Sequence, residues 1–183
     1  MDSGVIKAMT GGEHGASPQT TLFPEIFTPP HGPVPETRQF ADLKEICAYI
    51  AKQIRELHEQ EHYPLAEIAV IYTMRTPTMH PDAIAPELIG NALDRAGILY
   101  RWILEDYRAK QAYDVTTESV AVSTVHSVKG LDYACVFVVG LDWLAAGDRW
   151  TEEQIRKIAY VAVTRARERL FISRCLTQKS IMT

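Results

Sequence analysis

The sequence predicts an α/β fold, a parallel sheet with helices on both faces. Three observations carry that expectation. The runs EIAVIYT (67–73), SVAVST (119–124) and ACVFVVG (134–140) are almost continuously apolar and too short for buried helices. Amphipathic segments at helical spacing alternate with them. Strands apolar on both sides belong in a sheet covered from both sides, and strand–helix alternation is the pattern of parallel sheets.

The elements follow in order. Residues 1–35 are rich in Gly, Pro, Ser and Thr, and EIFTPPHGPVPETR (25–38) cannot hold a helix, because each proline removes a donor and fixes its own φ. The expectation is an extended or flexible lead-in, the cut edge of a larger chain, followed by one folded domain over 36–183. TGGEHGAS (10–17) does not match the phosphate-loop pattern G-x-x-x-x-G-K-[ST], and no apolar strand precedes it. ETRQFA (36–41) reads as a short strand. Leu43, Ile46, Ile50, Ile54 and Leu57 then recur at helical spacing, with Asp42 as N-cap. The strand 67–73 leads to a second amphipathic helix, PELIGNALDRAG, which ends at Gly97 as a C-cap. ILYRWIL (98–104) is a strand, and the polar stretch 105–118 leads to the strand SVAVST. A polar loop and the strand ACVFVVG follow. Thr151 and Gln154 form a capping-box pattern for a helix from about Glu152 to Arg167, and RLFIS (170–173 with Arg169) closes as a strand.

The totals narrow the class. A chain of 183 residues with 46% hydrophobic and 23% charged residues suits one soluble globular domain. The formal net charge of -4 argues mildly against a freestanding nucleic-acid binder and leaves a local basic patch open. No apolar run approaches the ~20 residues of a membrane span, and the first residues lack a signal peptide's apolar core. Cys47, Cys135 and Cys175 show no zinc spacing, and three cysteines fit a disulfide framework poorly, so reduced core thiols in a cytoplasmic protein are expected.

Function is expected in three places. The loop after Ser123 offers the hydroxyls of Thr124 and Ser127, the ring of His126, the cation of Lys129 and the flexible backbone of Gly130. Such groups suit the phosphates of a nucleotide or of a nucleic-acid backbone. They suit equally a solvated connection whose Thr and Ser close turns. On the last helix Ile155, Ile158, Ala159, Ala162 and Ala166 form an apolar stripe, with Arg165 at its edge, about 80° from its centre at 100° per residue. An arginine there can lay its stem on protein and its guanidinium at a crevice, where its planar, permanent charge suits a γ-phosphate. Arg156, Arg167 and Arg169 read as an ordinary charged flank, Arg167 pairing Glu168 or Glu152. Tyr72, at a strand's carboxyl end, can stack on a base or cap the core.

These stretches together resemble the C-terminal motor domain of superfamily 1 DNA helicases of the UvrD/Rep type. TVHSVKGLDYACVFVVGL (124–141) is similar to the family's motif V, T-x-H-x-A-K-G-L-E with an apolar strand after it. YVAVTRARERL (160–170) is similar to motif VI, Y-V-A-x-T-R-A-x-x-x-L, and AVIYTMR (69–75) echoes the strand L-Y-R-T-N of motif IV. The resemblance covers about 36–173. It implies a RecA-like lobe of P-loop NTPase type without its own phosphate loop. Such helicases hold ATP and Mg2+ between two RecA-like lobes, the first of which carries the phosphate loop, the Mg2+ carboxylate and the catalytic glutamate. The second supplies an arginine finger, here Arg165 by motif match, which meets charge on the transferring phosphoryl. By the same resemblance Tyr72 lies near the adenine, Gly130 and Asp132 approach the nucleotide, Asp132 through the ribose, and Thr124, His126, Ser127 and Lys129 line the single-stranded DNA.

Three departures from the pattern stand out. The family's Glu after G-L is Asp132 here, with the same charge and a shorter reach. The arginine after the motif IV tyrosine is Thr73, and Arg75, two residues on and on the same side of a strand, is the substitute. The insertion that many members carry before motif V is absent, with only 105–118 in its place. The implied function is the arginine-finger lobe of an ATP-dependent DNA helicase or translocase, whose partners are single-stranded DNA and an N-terminal lobe of the same parent. The alternative is a degenerate or stand-alone lobe that binds protein or nucleic acid without ATPase activity. A freestanding metabolic enzyme finds no nucleophile, metal cluster or dinucleotide fingerprint. The chain contains neither G-x-x-x-x-G-K-[ST] nor a D-E-x-x strand end. The purified chain is therefore expected to show no ATP turnover above background, with or without single-stranded DNA. Turnover abolished by Arg165→Ala would refute this.

Overall fold

The computed structural model describes residues 33–76, 84–103, 118–144 and 150–176. The expectations for the glycine-rich start, and for nearly all of the segment 105–118, lie outside the described residues. Six strands, β1 (Glu36–Phe40), β2 (Ile68–Tyr72), β3 (Tyr100–Ile103), β4 (Val120–Thr124), β5 (Tyr133–Val139) and β6 (Ala166–Cys175), form one sheet in the order β1-β6-β5-β2-β4-β3. Every neighbouring pair is parallel. The helices are α1 (Leu43–Glu59), α2 (Ala85–Arg95) and α3 (Glu152–Val163).

The caps are those the sequence implies. Asp42 accepts from the Glu45 amide at 2.9 Å, and the Glu45 carboxylate accepts from the Ala41 amide at 2.9 Å. At α3 the Gln154 amide donates to Thr151 Oγ1 at 3.2 Å, and the Thr151 amide donates to Gln154 Oε1 at 2.9 Å, which satisfies two otherwise orphaned donors. α2 stops where Gly97 takes φ 68°; the amides of Ile98 and Gly97 return to the carbonyls of Leu93 and Asp94, both at 3.0 Å.

β2 and β5 are buried at every residue, as is β4 up to Ser123. α1 lays Leu43, Ile46, Ile50, Ile54 and Leu57 into the core and packs on α2. Each such side chain contributes about 1.5–3 kcal/mol on burial. α1 and α2 serve connections that step across the sheet one way, α3 a connection that steps back. Right-handed crossovers therefore put α1 and α2 on one face and α3 on the other. Cys47 and Cys135 are buried free thiols, and burial pushes both up to about 12.

Two boundaries differ from expectation. The last helix ends at Val163 rather than Arg167, and β6 begins at Ala166, so neither Arg165 nor Ala166 lies on the helix. The Thr164 hydroxyl donates to the Tyr160 carbonyl at 2.8 Å, and the Tyr133 amide takes the Arg165 carbonyl at 2.9 Å. Sheet pairing with β5 thus outcompetes a further helical turn. The amino edge of the sheet is tied by ions: Arg169 reaches Glu36 at 2.7 Å and Glu61 at 2.6 Å, and Arg167 pairs with Glu67 rather than with Glu168 or Glu152.

Gly140, after β5, has φ 84°, and a Cβ there would lie 2.2 Å from the ring of Trp143. Left-handed strain and overpacking together make Gly140→Ala cost about 2–5 kcal/mol. Chemical denaturation checks this; a loss under about 1 kcal/mol would contradict the packing described.

Candidate functional site

The polar loop is itself a crossover. β4 and β5 flank β2, so residues 125–132 must pass over β2 and return from the carboxyl ends of the strands to their amino ends. Parallel crossovers usually take a dozen residues or more. This one is shorter because it lies on the sheet: Val125 and Val128 are buried and Leu131 packs on the core. Its first turn closes on Thr124. Thr124 Oγ1 accepts from the Ser127 amide at 3.2 Å and meets Ser127 Oγ at 3.0 Å, and the Val128 amide donates to the Thr124 carbonyl at 3.3 Å.

These contacts sort the expected loop residues. Ser127, expected to line a ligand, is 3% exposed and spends its hydroxyl inside the turn. Thr124 is half-buried and engaged in the same bond. His126 and Lys129 are exposed and line a groove of about 300 Å³ with Lys157, Ile158 and Val161 of α3. Lys157 was not legible in the sequence, since no motif holds it; only the packing of α3 beside the loop brings it there.

At the other end of the loop, Gly130 is exposed with φ 86°, and nothing lies within 4 Å of where its Cβ would be. Arg165 folds back against the loop's last residues. Its Nη1 lies 2.9 Å from Asp132 Oδ1 and donates to the Leu131 carbonyl at 3.3 Å. Its Nε donates to the Val161 carbonyl at 3.1 Å and its Nη2 to Thr164 Oγ1 at 3.2 Å. The Arg165 side chain is 18% exposed and that of Asp132 53%. The structure therefore brings Arg165, Asp132 and Gly130 to one place, at the amino ends of β5 and β6.

Tyr72 and Arg75 are elsewhere. Tyr72 pairs with Val139 at the carboxyl end of β5, whereas Ala166 pairs with Tyr133 at its start. Six steps along a strand separate them by roughly 20 Å. Tyr72 is 6% exposed, and burial raises its phenol pKa against the opposing charge of Arg75. It caps the core. Arg75 is exposed beyond the strand's end, its carbonyl accepting from the Ala85 amide at 2.8 Å. Thr73 is occupied too, its hydroxyl donating to the Gly140 carbonyl. The residues expected near the nucleotide, Tyr72, Arg75, Gly130, Asp132 and Arg165, thus fall into two groups: a parallel sheet puts residues that end strands and residues that start them at opposite ends. Among the described residues no three His, Cys, Asp or Glu side chains converge to hold a metal ion. The groove of about 480 Å³ between α1 and α2 contains no residue of either long motif.

The geometry can be set beside known proteins. Residues 96–177 match the family described as the UvrD-like helicase C-terminal domain. The chain is 39% identical over 67 residues to the ATP-dependent DNA helicase UvrD1 of Mycobacterium leprae, a match covering 33% of this chain and 9% of the relative. It is 35% identical over 71 residues to the ATP-dependent DNA helicase PcrA of Staphylococcus epidermidis, covering 34% and 10%. It is 36% identical over 74 residues to DNA helicase II of Escherichia coli, covering 36% and 10%. The chain thus spans about a tenth of the curated relatives it matches. A crystal structure of the C-terminal domain of a possible DNA helicase from Lactobacillus plantarum superposes with a TM-score of 0.53, at 19% identity, over 79% of this chain and 75% of that one. That likeness concerns the fold. The resemblance to UvrD/Rep-type helicases and the parallel α/β architecture are both borne out.

The Thr124–Ser127 bond gives a stability test. Ser127→Ala should cost about 1 kcal/mol, since it removes the buried partner of a part-buried hydroxyl pair. Lys129→Ala should stay within about 0.5 kcal/mol of the parent. Urea denaturation of both variants checks the contrast; equal effects would refute it.

Proposed function

We propose that this chain, which carries a UvrD-like helicase C-terminal segment over residues 96–177, is the second motor lobe of an ATP-dependent DNA helicase or translocase. Arg165 is the group it offers to the γ-phosphate of an ATP held with Mg2+ by an N-terminal RecA-like lobe of the same parent. His126 and Lys129, joined by Lys157, offer hydrogen-bond donors and positive charge to single-stranded DNA phosphates. Thr124 serves that grip by shaping the turn that presents His126. Asp132 and Gly130 border the nucleotide side, and Tyr72 and Arg75 take no part. The chain by itself is inactive as an ATP hydrolase, because the residues that would cradle phosphate and Mg2+ come from the other lobe. On this proposal the motor works in the cytoplasm. Among the described residues no helix is long and apolar enough to cross a membrane.

The observation that supports this most is the meeting of the two motif segments. Arg165 Nη1 donates to the carbonyl of Leu131 at 3.3 Å, so the arginine of one segment sits against the end of the loop formed by the other. That loop begins beside the candidate DNA groove. A shift of Arg165 toward phosphate frees that end of 125–132 from the arginine, and the change is felt at the other end, which couples nucleotide state to DNA grip.

The test is the DNA-stimulated ATPase of the full gene product. Arg165→Ala is expected to lower kcat by about 10³-fold or more, the usual worth of an arginine finger, with the circular dichroism spectrum unchanged. Undiminished turnover in that variant would overturn the proposal.

A further inference from the structure

We propose that Asp132 is a positioning residue for Arg165, a carboxylate that parks the arginine on its own lobe until a phosphate competes for it, and is not a ribose ligand. The inference rests on the motor-lobe reading for its purpose, and on this chain's geometry for its substance. An arginine that serves a phosphate on a second lobe must project away from its own. Arg165 does the opposite. Its stem turns back along the last turn of α3, so that Nε reaches the Val161 carbonyl at 3.1 Å, and Nη2 stays with Thr164 Oγ1 at 3.2 Å. Nη1 is shared between the Leu131 carbonyl at 3.3 Å and Asp132 Oδ1 at 2.9 Å. All three nitrogens of the guanidinium are engaged, and its side chain is only 18% exposed.

Among the acceptors Asp132 differs from the rest. It is the only one with a charge, and its 2.9 Å ion-pair contact is the shortest of the four distances. The others are two main-chain carbonyls and a hydroxyl, which are weaker partners for a cation. Asp132 is also the most exposed of the pair at 53%, so water can replace Arg165 at its carboxylate when the arginine leaves. A phosphate offers Arg165 paired, charge-assisted hydrogen bonds that one aspartate oxygen does not. It also repels Asp132. Exchange of carboxylate for phosphate therefore moves the arginine outward and releases the end of the loop in the same event. Gly130, with φ 86°, lies two residues before Asp132 and supplies the local backbone latitude.

Two measurements test this separately. The first uses the chain alone, without nucleotide: the rate of phenylglyoxal modification of each arginine, followed by peptide mass mapping. Arg165 should react at least fivefold more slowly than the exposed Arg156. Asp132→Asn should raise its rate at least threefold while Arg156 is unchanged. Asp132→Ala, different in size and polarity, must do the same. An unchanged Arg165 rate in both variants overturns the parking, whatever the motor does. The second uses the full gene product. Asp132→Asn should lower the KM for ATP at least threefold and leave the preference for ATP over 3′-deoxy-ATP within twofold. Collapse of that preference assigns Asp132 to the ribose and overturns the inference. Full activity of Arg165→Ala in the same assay would instead sink the motor-lobe reading and leave the phenylglyoxal result standing.

Discussion

Every strand of this sheet runs the same way, so the chain must return from the carboxyl edge to the amino edge between each pair. That constraint shapes the rest of the molecule. Three of the returns are made by α1, α2 and α3, whose apolar faces bury the sheet on both sides. The return between β4 and β5 has only residues 125–132. It succeeds because Val125, Val128 and Leu131 fasten it to the core while His126 and Lys129 face out and Ser127 turns into the loop's own first turn. The same alternation explains why a loop full of hydroxyls and cations sits between two buried strands. It spans the sheet from edge to edge, and its two ends serve different surroundings.

Four of the arginines on and between α3 and β6 show how far context decides the role of one side chain. Arg156 pairs with Glu152 one helical turn away, at 3.0 Å and largely in water, where such a pair is worth little. Arg167 and Arg169 clasp Glu36 at the start of β1 and Glu61 and Glu67 in the segment before β2. They fasten the amino edge of the sheet. Arg165 meets one carboxylate and three neutral acceptors at the junction of α3 and β6. Among these four, Arg165 is the one whose guanidinium lies against the end of the loop 125–132. On the proposed reading, a lobe that lends an arginine to another lobe's site holds that arginine at the Asp132 contact in the meantime.

The elements were largely legible because each carries its own local signal. Asp42 and the Thr151–Gln154 box mark helix starts, and Gly97 marks a stop. The runs 67–73, 119–124 and 134–140 fall within a residue of the strands that form. The end of the last helix was misjudged because Arg165 and Ala166 fit the helical stripe as well as they fit a strand. The competitor was the edge of β5, which no window of sequence contains.

The sequence by itself determined the alternation of strands and helices and the two long helicase-like segments, and it marked Arg165 and its loop as candidates. These follow from periodicity, capping chemistry and residue spacing, all of which are local. The tertiary structure alone decided which of the marked residues stand together. Parallel pairing sends Tyr72 and Arg75 to one edge and Asp132 and Arg165 to the other. Packing turns Ser127 inward and brings Lys157 up beside His126 and Lys129. Such proximity depends on strand order and on which faces are covered, and both are settled only when distant segments bury their apolar surfaces against one another.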